Sequence, residues 1–132
     1  AFAARVPPAA HLARHAHVDL CLDTLPYNAG TTANDALLMG VPVITLAGST
    51  MAGRIAGSQL NAIGLAELVT GSFADYEKRA LALARDPAAL TALRARLAAN
   101  RRTHPLFDME AYTRDFEGLL LQAWDERHRV DR

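Results

Sequence analysis

The stretch Asp19-Leu-Cys-Leu-Asp23, Thr24-Leu-Pro-Tyr-Asn-Ala-Gly30, Thr31-Thr-Ala-Asn-Asp35-Ala-Leu-Leu-Met39-Gly-Val-Pro-Val-Ile-Thr45 decides the fold. Val18 to Leu22 is an apolar run broken only by Asp19, and it predicts a strand. Asp23 to Gly30 carries Pro, Asn and Gly and predicts a loop. Thr32 to Met39 predicts a helix that stops at Gly40, and Val41 to Leu46 a second buried strand. The loop ends in Gly30-Thr31-Thr32. That ending aims backbone N–H groups, two hydroxyls and a helix N-terminus at one point, an arrangement suited to a phosphate or pyrophosphate.

The same alternation continues outward. Phe2 to Val6 is a short apolar run closed by Pro7-Pro8, and Ala1-Phe2-Ala3-Ala4 reads as the end of a buried strand. Ala9 to Ala16 reads as a short helix. After a second loop, Ala47 to Thr50, Met51 to Ile63 is helical and ends at Gly64. Leu65 to Val69 reads as a short strand or extended segment. Ser72-Phe-Ala-Asp75 opens a helix with capping character that runs to about Arg85, Pro87 opens another to about Arg102, and Met109 to about Arg129 is the last and longest. Strands apolar on both faces and alternating with helices indicate an α/β fold, a Rossmann-like parallel sheet with helices on both faces. The expected organisation is a core over residues 1–71 and a helical C-terminal extension of the same domain over 72–132.

The chain has 132 residues, about one domain's worth. Its formal net charge of +0 gives no electrostatic reason to expect nucleic acid or an anionic membrane as partner. No apolar run reaches the roughly 20 residues of a membrane span, and no signal peptide stands at the start. The lone Cys21 excludes an internal disulfide and reads as a small buried thiol rather than a nucleophile. A cytoplasmic location fits. With no initiator Met, the chain is expected to belong to a larger protein.

Two loops lie where ligands bind in open parallel sheets, beyond the carboxyl ends of strands: Asp23 to Gly30 and Ala47 to Thr50. In the first, Gly30 allows close backbone approach, and Thr31 and Thr32 each offer a hydroxyl and an N–H. Asp35 lies about one turn on, on the face they share. A carboxylate there repels a phosphate but suits a sugar diol beside it, so the spacing is nucleotide-shaped. The alternative is a near capping box, with Thr32 capping the helix and Asp35 reaching back. Neither a Walker loop nor the dinucleotide fingerprint is present.

These residues carry a resemblance. Leu22-Asp-Thr-Leu-Pro-Tyr-Asn-Ala-Gly-Thr-Thr-Ala-Asn-Asp-Ala-Leu, Gly40-Val-Pro-Val-Ile-Thr, Ala52-Gly-Arg-Ile-Ala-Gly-Ser-Gln-Leu and Arg101-Arg-Thr-His-Pro-Leu-Phe-Asp-Met-Glu-Ala-Tyr112 resemble the C-terminal half of the O-linked N-acetylglucosamine transferase and SPINDLY family, which includes bacterial relatives. The resemblance runs from about Val6 to the Trp124 helix. It implies the C-terminal half of a two-Rossmann-domain glycosyltransferase, inverting and metal-independent, preceded by an N-terminal Rossmann half and tetratricopeptide repeats. It implies a UDP-sugar as donor substrate, with no cofactor, and a protein Ser or Thr as acceptor. Residue by residue, Thr31 and Thr32 match the pair that holds the donor's diphosphate, and Asp35 the carboxylate on the ribose. His11 and Arg14 match positions beside the uracil, and the backbone near Val6 the segment that pairs with the base edge. In two places the chain departs from the pattern. Relatives commonly carry His before the Thr pair, where Gly30 stands. Some carry Lys near Pro8, whereas the only lysine here is Lys78. These departures favour an alternative, a non-catalytic interaction domain that kept the fold; a transferase using UDP-glucose or GDP-fucose is a further one. The general base is expected upstream.

Other candidates have simpler readings. His11 and His15 stand four apart, a helical metal spacing, but no third ligand completes a site and no metal is expected. His17 reads as a residue packed against the strand start. Arg54 suits either a phosphate or a surface ion pair, and Arg101-Arg102 complement a helix end. Tyr112, Phe116, Leu119, Leu120 and Ala123 form a stripe read by default as core, anchored by Trp124. A helix crossing to another domain would instead leave that face exposed.

Overall fold

A computed structural model describes residues 3–130, with side chains as far as His128. Helix α1 (Pro8–Ala13) continues as a 3-10 turn over Arg14–His17. Pro8 lies in its first turn, where a missing N–H costs nothing. Of the strand end read at Ala1 to Ala4, Ala1 and Phe2 lie outside the described residues, and the rest is corrected: Ala3–Val6 are irregular. That segment is held instead by Arg14, whose guanidinium donates to Ala4 O at 2.7 Å. His17 is exposed rather than packed.

Strand β1 is Cys21–Leu22, shorter than the predicted Val18 to Leu22. The cause lies in its neighbour. Val41 N–H is spent on Ala36 O at 2.8 Å, closing the turn after the first long helix, and Pro42 has no N–H, so the ladder cannot extend back toward Val18. Helix α2 (Thr31–Leu38) ends two residues before Gly40, whose φ of +80° is the left-handed value that favours glycine. Strand β2 (Val43–Leu46) is buried along its whole length. A 3-10 turn over Ala52–Arg54 leads into α3 (Ile55–Ala62), and Gly64, at φ +72°, stops it. A further 3-10 turn (Ala66–Leu68) precedes β3 (Val69–Thr70).

The three strands are parallel in the order β1-β2-β3, with Cys21 opposite Val43 and Thr45 opposite Val69. Helices α2 and α3, which connect the parallel strands, pack on each other and on β2. Gly57 of α3 lies 3.5 Å, measured from its Cβ position, from Val69 Cγ1, so Val69 and its partner Thr45 face this layer. Ile44 and Leu46 point to the other face, where α4 (Phe73–Arg85) packs against β2 and β3. The core joins Leu37, Ile44, Leu60, Ile63, Leu65 and Leu68, with Leu93 and Leu97 of α5 (Pro87–Asn100) closing it. The starts of α4 and α5 are both capped, the first as its sequence predicts. Ser72 Oγ accepts Asp75 N–H at 3.1 Å and Asp86 Oδ1 accepts Ala89 N–H at 2.9 Å.

The stripe on α6 (Met109–Val130) is a correction to core packing. Tyr112, Phe116, Leu119 and Leu120 are between 49% and 63% exposed, and Trp124 is 63% exposed. Tyr112 and Phe116 stack on each other at 6.1 Å and Trp124 lies on His128, so the apolar face contacts itself rather than the sheet. Among the described residues no helix is long and apolar enough to cross a membrane.

Candidate functional site

Asp23 leaves the carboxyl end of β1 with only 6% exposure and no cationic partner among the described residues. Its charge is held by three donors. Oδ1 accepts Thr24 N–H at 2.8 Å and Ala29 N–H at 2.7 Å, and Oδ2 accepts the Thr45 hydroxyl at 2.6 Å. A carboxylate taking several such bonds is satisfied without a counter-ion. Tyr76 of α4 donates to Asp23 O at 2.9 Å and fastens the strand end from the other layer. Burial first, and then the Asp23 charge, raise the ordinary pKa of both the Tyr76 phenol and the Cys21 thiol. Both therefore stay protonated at neutral pH, which keeps the phenol a donor and makes the thiol inert.

The Asp23 grip curls residues 24 to 29 into a closed loop. Thr24 Oγ donates to Tyr27 O at 2.8 Å, and the fully buried Asn28 donates to Thr24 O at 3.2 Å while its own N–H reaches Ala52 O at 3.1 Å. Asn28 Oδ1 is buried with no partner among the described residues. The loop delivers Gly30 as the N-cap of α2, at φ −94° and ψ −85°, without a side-chain cap. Gly30 O accepts Asn34 N–H at 3.0 Å and the Gln59 amide of α3 at 3.0 Å.

This sets aside one of the two sequence readings of the helix start, the capping box. Neither Thr32 nor Asp35 forms a capping bond. The Thr31 and Thr32 hydroxyls are on the surface and make no hydrogen bond among the described residues, nor do the first-turn N–H groups of Thr31, Thr32 and Ala33. A helix cannot satisfy those donors itself, and its dipole makes them an electropositive end. Asp35, half-buried, follows one turn on.

The structure thus brings Gly30, Thr31, Thr32 and Asp35 onto one helical end. It does not join His11 and Arg14 to them by any hydrogen bond among the described residues. The His11 ring meets His15 edge to face at 5.6 Å, and Arg14 holds the segment that contains the half-buried Val6. Arg54 Nε donates to Thr50 O at 3.3 Å, a local bond rather than an ion pair. Among the described residues no three His, Cys, Asp or Glu side chains converge on one point. Sequence reasoning passed over Asp23, Thr45, Asn28 and Gln59. Only Asp23 left a local sign, a carboxylate at the very end of an apolar strand.

Fold and junction together define a class: a parallel α/β unit that presents free N–H and hydroxyl donors beyond the carboxyl end of a strand. A model of glycosyl transferase family 41 matches residues 1–116, and the chain belongs to that family. It is 39% identical over 114 residues to a UDP-N-acetylglucosamine--peptide N-acetylglucosaminyltransferase of Caenorhabditis elegans, covering 86% of this chain and 10% of that protein. It is 39% identical over 116 residues to the probable enzyme of that type named SEC in Arabidopsis thaliana, covering 87% of this chain and 12% of that one. A solved structure of an O-GlcNAc transferase mutant from Thermobaculum terrenum superposes with a TM-score of 0.90 at 38% identity, over 96% of this chain and 24% of that chain. The chain spans about a tenth of the length of the curated relatives it matches.

Proposed function

We propose that this chain forms the donor-binding part of a glycosyltransferase that moves N-acetylglucosamine from its UDP conjugate to a Ser or Thr hydroxyl of a protein. The family and the names of the relatives support the activity class. The observation that carries the site is the set of unpaired donors at Thr31 and Thr32, set at a helix start with Asp35 one turn on. In this reading the two hydroxyls and the first-turn N–H groups hold the diphosphate, and Gly30 leaves the backbone open to it. As charge develops on the leaving diphosphate these donors stabilise it without reorganising. Asp35 accepts the ribose hydroxyls, and His11 and Arg14 flank the uracil while the backbone near Val6 meets its edge. The donor is a substrate and no cofactor or metal is needed. Inversion follows from direct attack by an acceptor whose base, like the sugar pocket, the N-terminal Rossmann half and the tetratricopeptide repeats, lies outside this chain. The expected location is the cytoplasm.

Calorimetric titration with UDP tests the site. Saturable binding that is weakened in Thr31→Val/Thr32→Val supports it; equal binding by both proteins, or none, rejects it.

One observation favours a second reading, a domain that kept the fold and lost the chemistry. The Gly30 backbone is not left-handed, and a Cβ there meets only Ile55 Cγ2 at 3.5 Å, so no steric demand explains glycine where relatives carry His. A transfer assay on the parent protein with UDP-N-acetylglucosamine, UDP-glucose and GDP-fucose separates these readings.

A further inference from the structure

We infer that Gln59 is a positioning residue for the diphosphate-facing peptide of the junction. The inference rests on the donor-site reading and adds to it a side chain from a different helix. Gln59 Nε2 donates to Gly30 O at 3.0 Å across 29 residues of sequence. Gly30 O already accepts Asn34 N–H, the first bond of α2, so the helix alone gives that carbonyl a partner. The second donor does something else. In a trans peptide the C=O and the following N–H point in opposite directions. Fixing Gly30 O toward α3 therefore fixes Thr31 N–H outward, away from the core and toward the free end of α2. The peptide unit two before it, Asn28–Ala29, is held as well, because Asp23 Oδ1 takes its Ala29 N–H at 2.7 Å. One grip from the strand and one from α3 thus bracket the Ala29–Gly30–Thr31 backbone. Gly30 is the residue in this segment with the most backbone freedom, and it is where such a bracket has most effect.

Only the donor end of the Gln59 amide is used. Its Oε1 is buried with no partner among the described residues, a cost that an apolar side chain of the same length would not carry.

The experiment compares the chain with Gln59→Met, which keeps the length and removes the donor, using UDP and uridine as probes and thermal melting as the stability readout. The expected result is a melting temperature equal to or above that of the parent, a threefold to tenfold weaker affinity for UDP, and an unchanged affinity for uridine. Unchanged UDP affinity overturns the inference, and so does an equal loss for UDP and uridine. Asp86→Ala serves as the second variant. It removes the cap of α5, where Asp86 Oδ1 accepts Ala89 N–H, and touches nothing at the junction, so it should lower the melting temperature and hold UDP affinity within twofold; a loss equal to that of Gln59→Met would make the effect a general loosening and overturn the assignment to Gln59. If UDP binds the parent chain and weakens in Thr31→Val/Thr32→Val while Gln59→Met changes nothing, the positioning role alone fails. If UDP does not bind the parent chain at all, the site reading fails and the inference goes with it.

Discussion

The loops leaving β1 and β2 start from similar sequence, short runs with Gly and Thr at the carboxyl end of a parallel strand, and they end as opposites. The second loop folds back on itself. Gly48 N–H goes to Gly53 O at 2.7 Å, Gly53 N–H to Thr50 Oγ at 3.1 Å, and Arg54 Nε to Thr50 O. Its two glycines close so tightly that a Cβ on Gly48 falls 3.1 Å from Gly53 Cα. The first loop is held from beneath by Asp23 and from the side by Gln59, and the donors at its tip stay free. Being at the right end of a sheet therefore does not make a site. What distinguishes the first loop is that the buried Asp23 and Asn28 hold it from beneath and deliver it to a helix start, where the Thr31 and Thr32 hydroxyls make no bond among the described residues.

The strongest way to break this contrast is to remove the support. Asp23→Ala strips the acceptor from two backbone N–H groups and the Thr45 hydroxyl in a site that is 6% exposed. The expected loss is about 3 kcal/mol or more, because each buried orphan donor costs on the order of 1–3 kcal/mol. Denaturant unfolding measures it, and a loss below about 1 kcal/mol would show that the loop stands without the carboxylate. Next in size is a contrast of glycines. Gly48→Ala drives a Cβ to 3.2 Å from Gly53 O, backbone that cannot give easily, and should cost about 2 kcal/mol. Gly30→Ala meets only Ile55 Cγ2 at 3.5 Å, and should stay within about 0.5 kcal/mol in the same experiment. Equal costs would mean that the first loop is as closed as the second.

Threonines sharpen the comparison from the ligand side. Thr50→Val removes the hydroxyl that accepts Gly53 N–H, so it should lower stability by about 1 kcal/mol and leave UDP affinity alone. Thr32→Val removes a hydroxyl with no partner among the described residues. It should leave stability within about 0.5 kcal/mol and weaken UDP about tenfold, the effect of one hydrogen bond to a charged group at about 1.4 kcal/mol. Melting curves and titrations on the two variants should move in opposite columns; a Thr50→Val loss of affinity would place the second loop in the site.

How far these features were legible depended on sequence distance. The helix stops at Gly40 and Gly64 and the starts at Ser72 and Pro87 are local, and each reads from one or two residues. The Thr pair was legible for the same reason. The grips are not local: Asp23 meets Ala29 and Thr45, six and 22 residues on, and Gln59 meets Gly30 from 29 residues away. The strand predicted at Val18 shortened because of what Val41 and Pro42 do in its neighbour. The α6 stripe has helical spacing whether or not anything covers it, so spacing alone could not tell core from exposed face.

The smallest expected effect runs in the other direction, toward gain. The resemblance predicts His where this chain has Gly30, and the structure shows that a side chain fits there: the backbone is not left-handed and the Cβ position touches only the Ile55 methyl. An imidazole at that position starts beside the free donors of Thr31 and Thr32, at the positive end of α2. Gly30→His should therefore strengthen UDP binding about threefold to fivefold near pH 6, a favourable anion contact of about 1 kcal/mol or less. The gain should shrink as pH rises through the ordinary His range near 6.5, since the charged imidazolium attracts the diphosphate and the neutral ring offers at most one donor. Titrations of both proteins at pH 6 and pH 8 give the comparison directly. A gain that is the same at both pH values would assign the effect to packing rather than charge. A loss at both would mean that the diphosphate needs the space glycine leaves, and that the first loop of this chain is adapted to its missing side chain rather than impaired by it.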